Sequence, residues 1–472
     1  MLVGFIVLYI LISIFIGLYA ARRVHSAADY VVAGRSLPLY ITVATVFATW
    51  FGSETVLGTS STFIEEGLGG IVADPFGASM CLVLVGLLFA KPLYRMKLLT
   101  IGDFYKRTYG RTVEVLVSLA ICVSYLGWVS AQISALGLVF NVVTQGAVGV
   151  DIGMVIGLGI VLLYSLFGGM WSVALTDFIQ MIMIVIGLVV VAVTVSATAG
   201  GAGVVIDHAV TNGKMDFWPE LSAAGILGFI AAWVTMGFGS IPQQDVFQRV
   251  MSAKDEKTAQ RGSIIGGLLY LLFAFIPIFV AYSAFVIDPA AVSAQMQEDS
   301  QMVLPNLILN HTPVFVQVMF FGALLSAIMS TASATLLAPS VTFAENIVRG
   351  TLPHLKDKQV LKLMRGTVVG FSGIVLFVAL NSELSIFEMV ENAYKVTLAG
   401  AFVPLLAGVY WKKRANTSGA LLSITMGVGI WLICEAVAPE GVLPPQLAGL
   451  VAAFAGMGIG GYFGKKRQHK DS

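Results

Sequence analysis

The sequence predicts an all-α polytopic membrane protein with about thirteen transmembrane helices, and three observations lead to that prediction. Of the 472 residues, 57% are apolar and only 11% are charged, with a mean hydropathy of +0.89. This composition excludes the class of soluble globular proteins. Apolar runs of roughly 18 residues recur along the whole chain. The Lys and Arg residues fall in alternate connections between those runs, as they do in multi-span proteins.

All of these runs except 152–167 and 366–380, which are a few residues shorter, are long enough to cross a bilayer as one helix. The second and seventh runs are interrupted by small and polar residues near their middle or end. An odd number of spans places the two ends of the chain on opposite sides of the membrane. The predicted spans are 2–20, 38–65, 75–93, 112–143, 152–167, 172–198, 223–247, 262–286, 313–347, 366–380, 384–411, 418–437 and 444–463.

The basic residues predict the orientation of the chain in the membrane. With the N-terminus outside, nearly all of the 27 Lys and Arg residues fall in inner connections. The exceptions are Lys214, in an outer connection, and Lys395, inside a span. We therefore predict a cell membrane protein, in the plasma or inner membrane, with its N-terminus outside and its C-terminus cytoplasmic. The two longest outer connections, 199–221 and 288–312, are predicted to form short surface helices.

Several classes of function are not expected. A net charge of +1 gives no attraction to nucleic acid. The phosphate-binding motif G-x-x-x-x-G-K-[ST] is absent from the sequence, which argues against an ATP-driven pump. No span carries the nucleophile, metal ligands or acid–base groups of an enzyme. The predicted partners are a small-molecule solute and the lipid bilayer, with the protein a monomer or a weak homo-oligomer.

The second run contains a polar stretch, TVATVFATWFGSETVLG at 42–58, whose centre carries Gly52, Ser53 and Glu54. A continuous helix gains nothing from these residues. An unwound helix frees backbone carbonyls to hold a cation and points two half-helix dipoles into the gap. A kinked helix that packs through its small residues is equally compatible with the pattern. Glu54 has no evident partner in the sequence, so it is either protonated or faces a cation or water.

The seventh run contains a second interruption, GFGSIPQQDVFQRV at 237–250, with Pro242 after two glycines. Paired interruptions at corresponding positions are typical of transporters built from inverted repeats, whose binding site lies between the breaks. A proline kink near the cytoplasmic end is the alternative. Gln243, Gln244 and Asp245 then face either the binding site or the inner vestibule.

Two further groups of polar residues lie inside predicted spans. Ala327, Ser330 and Thr331 share a helix face at spacings of three and four residues, which could offer oxygens to sodium. Taken alone, this cluster is better explained as a packing seam of small residues. Asp177, in the motif LLYSLFGGMWSVALTDFIQ at 162–180, is equally compatible with a functional and an anchoring role.

Several motifs, in order and over nearly the whole chain, resemble the sodium:solute symporter family, which includes sodium/glucose, proline, pantothenate, sialic acid and high-affinity choline transporters. The resemblance implies a LeuT-type 5+5 inverted repeat, here 38–198 and 223–411. One extra helix, 2–20, would precede the repeats, and two would follow within 418–463. The motifs are FATWFGSETVLGT (47–59), LFAKPLYRMKLLTIGDFYKRTYG (88–110), LYSLFGGMWSVALTDFIQ (163–180), IPQQDVFQRVMSAKD (241–255), AIMSTASATLLAPSVTFAENI (327–347) and PLLAGVYWKKRANTSGA (404–420).

The resemblance also implies sodium-binding residues, which coincide with the polar groups found from the residues alone. Some members hold a second ion with an aspartate that matches Asp177; Ser333 matches one of its hydroxyl ligands, whereas Ala334 replaces another. The implied primary Na+ site consists of the carbonyls of Ala48, Phe51 and Ala327 and the hydroxyls of Ser330 and Thr331.

Within the family, the sequences of these motifs most resemble those of the choline transporters, which enclose a quaternary ammonium in tryptophan rings. Trp50 and Trp128 match two positions of that cage, and Gln243 stands at the third. Glu54 replaces a small residue, so the expected solute-binding residues are Trp50, Glu54, Trp128 and Gln243. A carboxylate there suits a primary amine or another cation that can form hydrogen bonds. A choline-like solute, a proton or ion bound at Glu54, and a zwitterion such as an amino acid remain open.

The sequence thus predicts a secondary active symporter that imports a small organic solute by alternating access, with Na+ as the coupling ion. Two alternatives remain at this point. Glu54 could couple transport to protons instead of sodium. A membrane sensor could share the same fold, although no kinase or signalling segment follows the last predicted span, which counts against it.

Overall fold

The computed structural model describes residues 2–352, 354–413 and 415–468, and this part of the chain is almost entirely helical. Its one extended pairing is a bridge between Leu37 and Ala253. The predicted all-α class is therefore confirmed. By length and composition, ten of the described helices could cross a membrane, or eleven if one bent pair counts as a single span.

The long helices follow the predicted runs, with most ends within a few residues of the expected ones. Short helices at Ala202–Thr211, Pro289–Glu298 and Val303–His311 occupy the two long outer connections, as predicted. The long helices and the halves of broken ones are α1 (Leu2–Ala20), α2 (Leu39–Trp50), α3 (Thr59–Glu66), α4 (Val72–Met96), α5 (Arg111–Val143), α6 (Val150–Thr198), α7 (Ala223–Gly239), α8 (Gln244–Ser252), α9 (Glu256–Ile287), α10 (Val314–Thr351), α11 (Asp357–Asn381), α12 (Ile386–Tyr410), α13 (Thr417–Val437) and α14 (Pro445–Gln468).

The predicted number of spans and the number of long apolar helices differ at two places. α2 and α3 are each too short to count, yet together they fill the predicted second run. α6 covers two predicted runs and kinks at Gly169, where φ is 48° and ψ is −140°. A β-carbon at Gly169 would press on the carbonyl and ring of Tyr30, so the kink requires glycine. Starting from the count of eleven, in which α7 and α8 form one span, counting α2 with α3 as one further span and α6 as two gives thirteen.

Both predicted interruptions are breaks in the helical backbone. α2 ends at Trp50, because Phe51 leaves the helical region with φ −87° and ψ 74°. The chain resumes with a π-helical turn, Glu54–Gly58, that leads into α3. α7 and α8 meet at an angle of 49°. The kinked-helix alternative therefore does not hold for the first stretch, where the helix is unwound.

The breaks are held by the surrounding helices. α2 packs against α6, α9 and α10, while α10 also packs along α5 and α6, and α12 packs against α5. The main chain of Leu37, just before α2, pairs with Ser252 at 3.0 Å and with Lys254 at 2.9 Å, just after α8. This pairing ties the two broken helices together at one end. α13 and α14 pack mainly on each other, away from the breaks.

Candidate functional site

The end of α2 meets the hydroxyl-bearing face of α10. The last helical hydrogen bond of α2 joins the Phe51 amide to the Phe47 carbonyl, at 3.0 Å. The Ala48 carbonyl lies just beyond it, and the Thr331 Oγ1 donates to it at 3.4 Å. Phe51 ends the helix, and Ala327 lies one turn before Thr331; all of them are buried. Neutral oxygens beside an unwound helix suit a sodium ion, so the residues present fit the predicted ion.

Asp177 on α6 joins α2 to α10 beside these oxygens. Its Oδ1 accepts a hydrogen bond from the Ser330 Oγ at 2.6 Å, and its Oδ2 accepts one from the Thr45 hydroxyl. Ser333 donates instead to the Ser330 carbonyl, at 3.0 Å. The structure thus brings Asp177 next to the predicted primary site. The second ion held by Asp177 and Ser333 stays a prediction.

Gly52 lies between the Thr331 hydroxyl, which belongs to the candidate sodium site, and the Glu54 carboxylate. A β-carbon built on Gly52 would lie 2.8 Å from the Thr331 Oγ1 and would press on the Glu54 Oε2. Both oxygens therefore border the same small space, which exists only because residue 52 lacks a side chain. The candidate ion site and the buried carboxylate are direct neighbours.

We expect Gly52→Ala to raise the sodium concentration needed for half-maximal uptake by on the order of tenfold. Forcing an extra carbon into a packed site costs about 1–3 kcal/mol, and about 1.4 kcal/mol corresponds to a factor of ten. The measurement is sodium-dependent solute uptake into proteoliposomes. Gly228→Ala on α7 is the matched control, because nothing lies within 4 Å of a β-carbon there. An unchanged sodium dependence in Gly52→Ala would contradict this role of the glycine.

Glu54 begins the turn after the first break and is only 2% exposed. Its Oε1 accepts the Trp128 Nε1–H at 3.1 Å, and its Oε2 accepts the Gln132 Nε2–H at 2.7 Å. The Gln132 Oε1 in turn accepts the Ser53 amide, at 3.0 Å. In the described part of the chain, Glu54 forms no ion pair. The sequence interpretation missed Gln132, although its position one turn after Trp128 on the same helix could have suggested it.

Four buried rings form an aromatic cluster next to Glu54: Trp50, Tyr125, Trp128 and Tyr394. Trp50 stacks on Tyr394 with ring centroids 6.0 Å apart, and Trp128 lies 5.7 Å from Trp50 and 5.5 Å from Tyr394. Tyr125 stacks on Trp128 at 5.9 Å. The two predicted tryptophans therefore do lie together. Tyr394 was not predicted, because no motif covers the first part of α12 and its approach to α2 is visible only in the folded chain.

Gln243, the last of the predicted solute-binding residues, lies at the second break. Its Nε2 donates to the Ser124 Oγ at 3.0 Å and to the Thr397 Oγ1 at 3.3 Å. Ser124 precedes the cluster residue Tyr125 on α5. Gln243 thus lies at the edge of the aromatic cluster, held by hydroxyls of α5 and α12.

Further charged residues are buried around the breaks. The Asp245 Oδ1 accepts a hydrogen bond from the Tyr125 hydroxyl, and the main-chain N–H of Asp245 donates to the same hydroxyl oxygen at 2.9 Å. Arg249, which the sequence interpretation counted among the inner-loop charges, is 1% exposed and donates to the Thr49 Oγ1 at 3.0 Å. That assignment of Arg249 was wrong, because α8 turns inward after the break. Asp74 on α4, which was not predicted, is also fully buried.

Two broken helices that enclose neutral oxygens, buried carboxylates and aromatic rings within a multi-span bundle define an ion-coupled membrane transporter. The chain belongs to the sodium:solute symporter family, whose sequence profile matches residues 30–427. It is accordingly a multi-pass membrane protein that carries a small solute with Na+ as the coupling ion. The members it resembles are transporters and not enzymes, in agreement with the sequence prediction.

The high-affinity choline transporter 1 of Caenorhabditis elegans is 28% identical over 459 residues, which cover 92% of this chain and 77% of that protein. The osmoregulated proline transporter OpuE of Bacillus subtilis is 26% identical over 453 residues, 90% of this chain and 87% of that protein. A solved Na+-coupled sialic acid symporter superposes with a TM-score of 0.83 at 19% identity, over 98% of this chain and 96% of the other. This likeness confirms the predicted LeuT-type fold.

Proposed function

We propose that the protein imports a small organic ammonium compound with sodium, and that the ammonium group binds at Glu54 beside the aromatic cluster. The observation that carries this proposal is the buried Glu54 carboxylate, which contacts Trp128 but forms no ion pair among the described residues. An ionised carboxylate inside a membrane is costly unless a positive charge compensates it. An ammonium ion supplies that charge and is also attracted to the faces of the Trp50, Trp128 and Tyr394 rings.

Glu54 also favours one type of ammonium over others. Its two oxygens can accept further N–H bonds, which primary and secondary amines offer and a quaternary nitrogen does not. A zwitterion would bring its own carboxylate into the same buried site, where like charges repel. We therefore rank amines with N–H groups first, choline-like compounds second and amino acids third. The likeness to the choline transporters supports an ammonium but not a particular compound.

The sodium site that we propose is the set predicted from the sequence. An ion there would join the end of α2 to α10, because it would bind oxygens of both helices. Sodium would then favour the state in which the two helices lie together, and the solute would bind to that state. The proposed ligands are the carbonyls of Ala48, Phe51 and Ala327 and the hydroxyls of Ser330 and Thr331, with Asp177 and Ser333 for a second ion.

We also propose the predicted orientation and repeat boundaries. Four basic residues assigned to inner connections, Lys91, Lys254, Lys257 and Arg261, line one surface pocket. Their grouping supports a cytoplasmic face at that end of the bundle. Arg414 and Lys470, counted with the inner charges, lie outside the described residues. The repeats would be 38–198 and 223–411, each with a broken helix near its start.

A second candidate is proton coupling through Glu54. The same absence of an ion pair favours it, because a protonated carboxyl group needs no positive partner. In that case uptake would change with pH.

The test is the thermal stability of the purified protein with a panel of compounds, each in sodium and in potassium. The panel contains simple amines, choline, betaine, proline, other amino acids and pantothenate. A ligand that binds only the folded state raises its melting temperature, so an amine and sodium together should stabilise the protein more than either alone. A shift with sodium and a zwitterion, but with no ammonium compound, would contradict the proposed solute class.

A further inference from the structure

We infer that the solute carries two ammonium groups, one bound at Glu54 and the other at Asp245 on the opposite side of the aromatic cluster. This inference rests on the proposed function and narrows its substrate to diamines. Three observations support it: the balance of buried charge, a carboxylate oxygen of Asp245 without a hydrogen-bond partner, and the position of the aromatic cluster between Glu54 and Asp245.

The transport core holds more negative than positive charge. Among the buried acids of the described part of the chain, Glu114 lies outside the transport core, and its carboxylate pairs with Arg111 at 2.9 Å. When only the primary sodium ion is bound, it supplies one positive charge beside Asp177, and Arg249 supplies another. Two negative charges then remain, which a diammonium compound balances and a monoammonium compound does not. The remaining buried charged residues are Glu54, Asp74, Asp177, Asp245 and Arg249.

Asp245 has the free binding capacity that a second ammonium needs. Its Oδ1 is bonded to Tyr125, but its Oδ2 is buried without a hydrogen-bond partner. Arg249 approaches the main-chain carbonyl of Asp245 at 3.1 Å, and the described residues show no ion pair between the two side chains. A buried carboxylate oxygen without a partner is rare in proteins and calls for a donor.

Asp74 differs from Asp245 in this respect. Both of its oxygens are bonded, Oδ1 to the Tyr270 hydroxyl and Oδ2 to the hydroxyls of Thr59 at 3.0 Å and Thr55 at 3.4 Å. Three hydroxyl donors thus already surround the Asp74 carboxylate, whereas the Asp245 Oδ2 has none. Among Glu54, Asp74, Asp177 and Asp245, only Asp245 has a carboxylate oxygen without a hydrogen-bond partner, and we place the second ammonium there.

The aromatic cluster connects the two carboxylates. Trp128 donates to Glu54 through its Nε1, and Tyr125 stacks on the same indole while bonded to Asp245. Tyr394, whose ring centroid lies 5.5 Å from that of Trp128, has a buried hydroxyl without a hydrogen-bond partner. We place the methylene chain of the solute beside these rings, with one charged amine at each carboxylate. Each of the two carboxylates closely follows a helix break.

The experiment compares matched pairs of amines on the full chain in lipid nanodiscs at saturating sodium. The pairs are butylamine with 1,4-diaminobutane and pentylamine with 1,5-diaminopentane. Because the second ammonium gains a buried charge partner, at least one diamine should bind on the order of tenfold more tightly than its matched monoamine. Equal affinities within both pairs would overturn the inference.

Two variants separate a local contact from a general charge effect. Asp245→Asn should bring the diamine affinity to within about threefold of the monoamine affinity, because the second ammonium loses its partner. Asp74→Asn removes the same charge from the core but keeps the partner of the second ammonium, so it should lower the preference for the diamine less than Asp245→Asn does. If Asp245→Asn does not fold, Tyr125→Phe replaces it: it removes the hydroxyl that orients Asp245 and should also lower the preference.

Three results would count against the second ammonium. The preference for the diamine could survive in Asp245→Asn, or it could fall equally in Asp74→Asn. Monoamine uptake could also carry a proton inward, seen as alkalinisation outside proteoliposomes, in which case the proton supplies the missing charge. Sodium-dependent binding of monoamines without any preference would overturn this inference alone. A lack of response to every ammonium compound would overturn the proposed function as well.

Discussion

Replacing Glu54 with Gln should weaken sodium-dependent amine binding by roughly 30-fold or more. Truncating one partner of a buried charge pair costs about 2–5 kcal/mol, and about 1.4 kcal/mol corresponds to a factor of ten. The amide has nearly the same shape as the carboxylate and can still contact Trp128 and Gln132, so the helix break should survive. The measurement is the amine dissociation constant of the purified protein at saturating sodium.

Glu114→Gln is the matched control for Glu54→Gln. Glu114 is equally buried, at 1% exposure, but its charge is paired with Arg111 near the start of α5, away from the aromatic cluster. Its replacement should lower the melting temperature without changing the amine affinity. Amine affinity within threefold of the original in Glu54→Gln would contradict the solute assignment. If uptake by that variant also lost its pH dependence, Glu54 would be assigned to proton transfer.

The sequence was most informative where the membrane restricts the choice of residues. Lipid excludes charged and polar residues from most of a span, so the stretches around Glu54 and Pro242 were conspicuous. Both proved to be breaks in the backbone. The helix ends were also close to prediction, because apolar runs end where water begins.

The contacts between distant helices could not be predicted in the same way. Tyr394 lies on α12 and Asp74 on α4, and neither position has a local pattern that distinguishes it from a packing residue. Their roles depend on which side chains meet in the folded bundle. Arg249 shows the opposite error: a basic residue after a span was assigned to a loop, because the charge rule takes no account of a short helix that turns inward.

Removing the hydroxyl of Thr331 should raise the sodium concentration for half-maximal uptake by on the order of tenfold or more. A hydrogen-bonding group that binds an ion contributes about 1.5–3 kcal/mol when buried. Thr331→Ala and Ser330→Ala should both show this shift in sodium-titrated uptake, and Thr331→Ser should restore most of the affinity because it keeps the oxygen. Thr342→Ala is the control, since that buried hydroxyl, also on α10, bonds only to the Ala338 carbonyl in the structure.

The Thr331 and Glu54 variants should respond differently to added sodium, and this difference tests whether the two sites are distinct. Sodium and solute that favour the same state raise each other's affinity by the same factor. Amine binding to Thr331→Ala should therefore be weak at low sodium and recover as the ion saturates its weakened site. Binding to Glu54→Gln should stay weak at every sodium concentration, because the lost partner belongs to the amine. If high sodium restored both variants equally, Glu54 would have to act on the ion, and the solute would need another carboxylate.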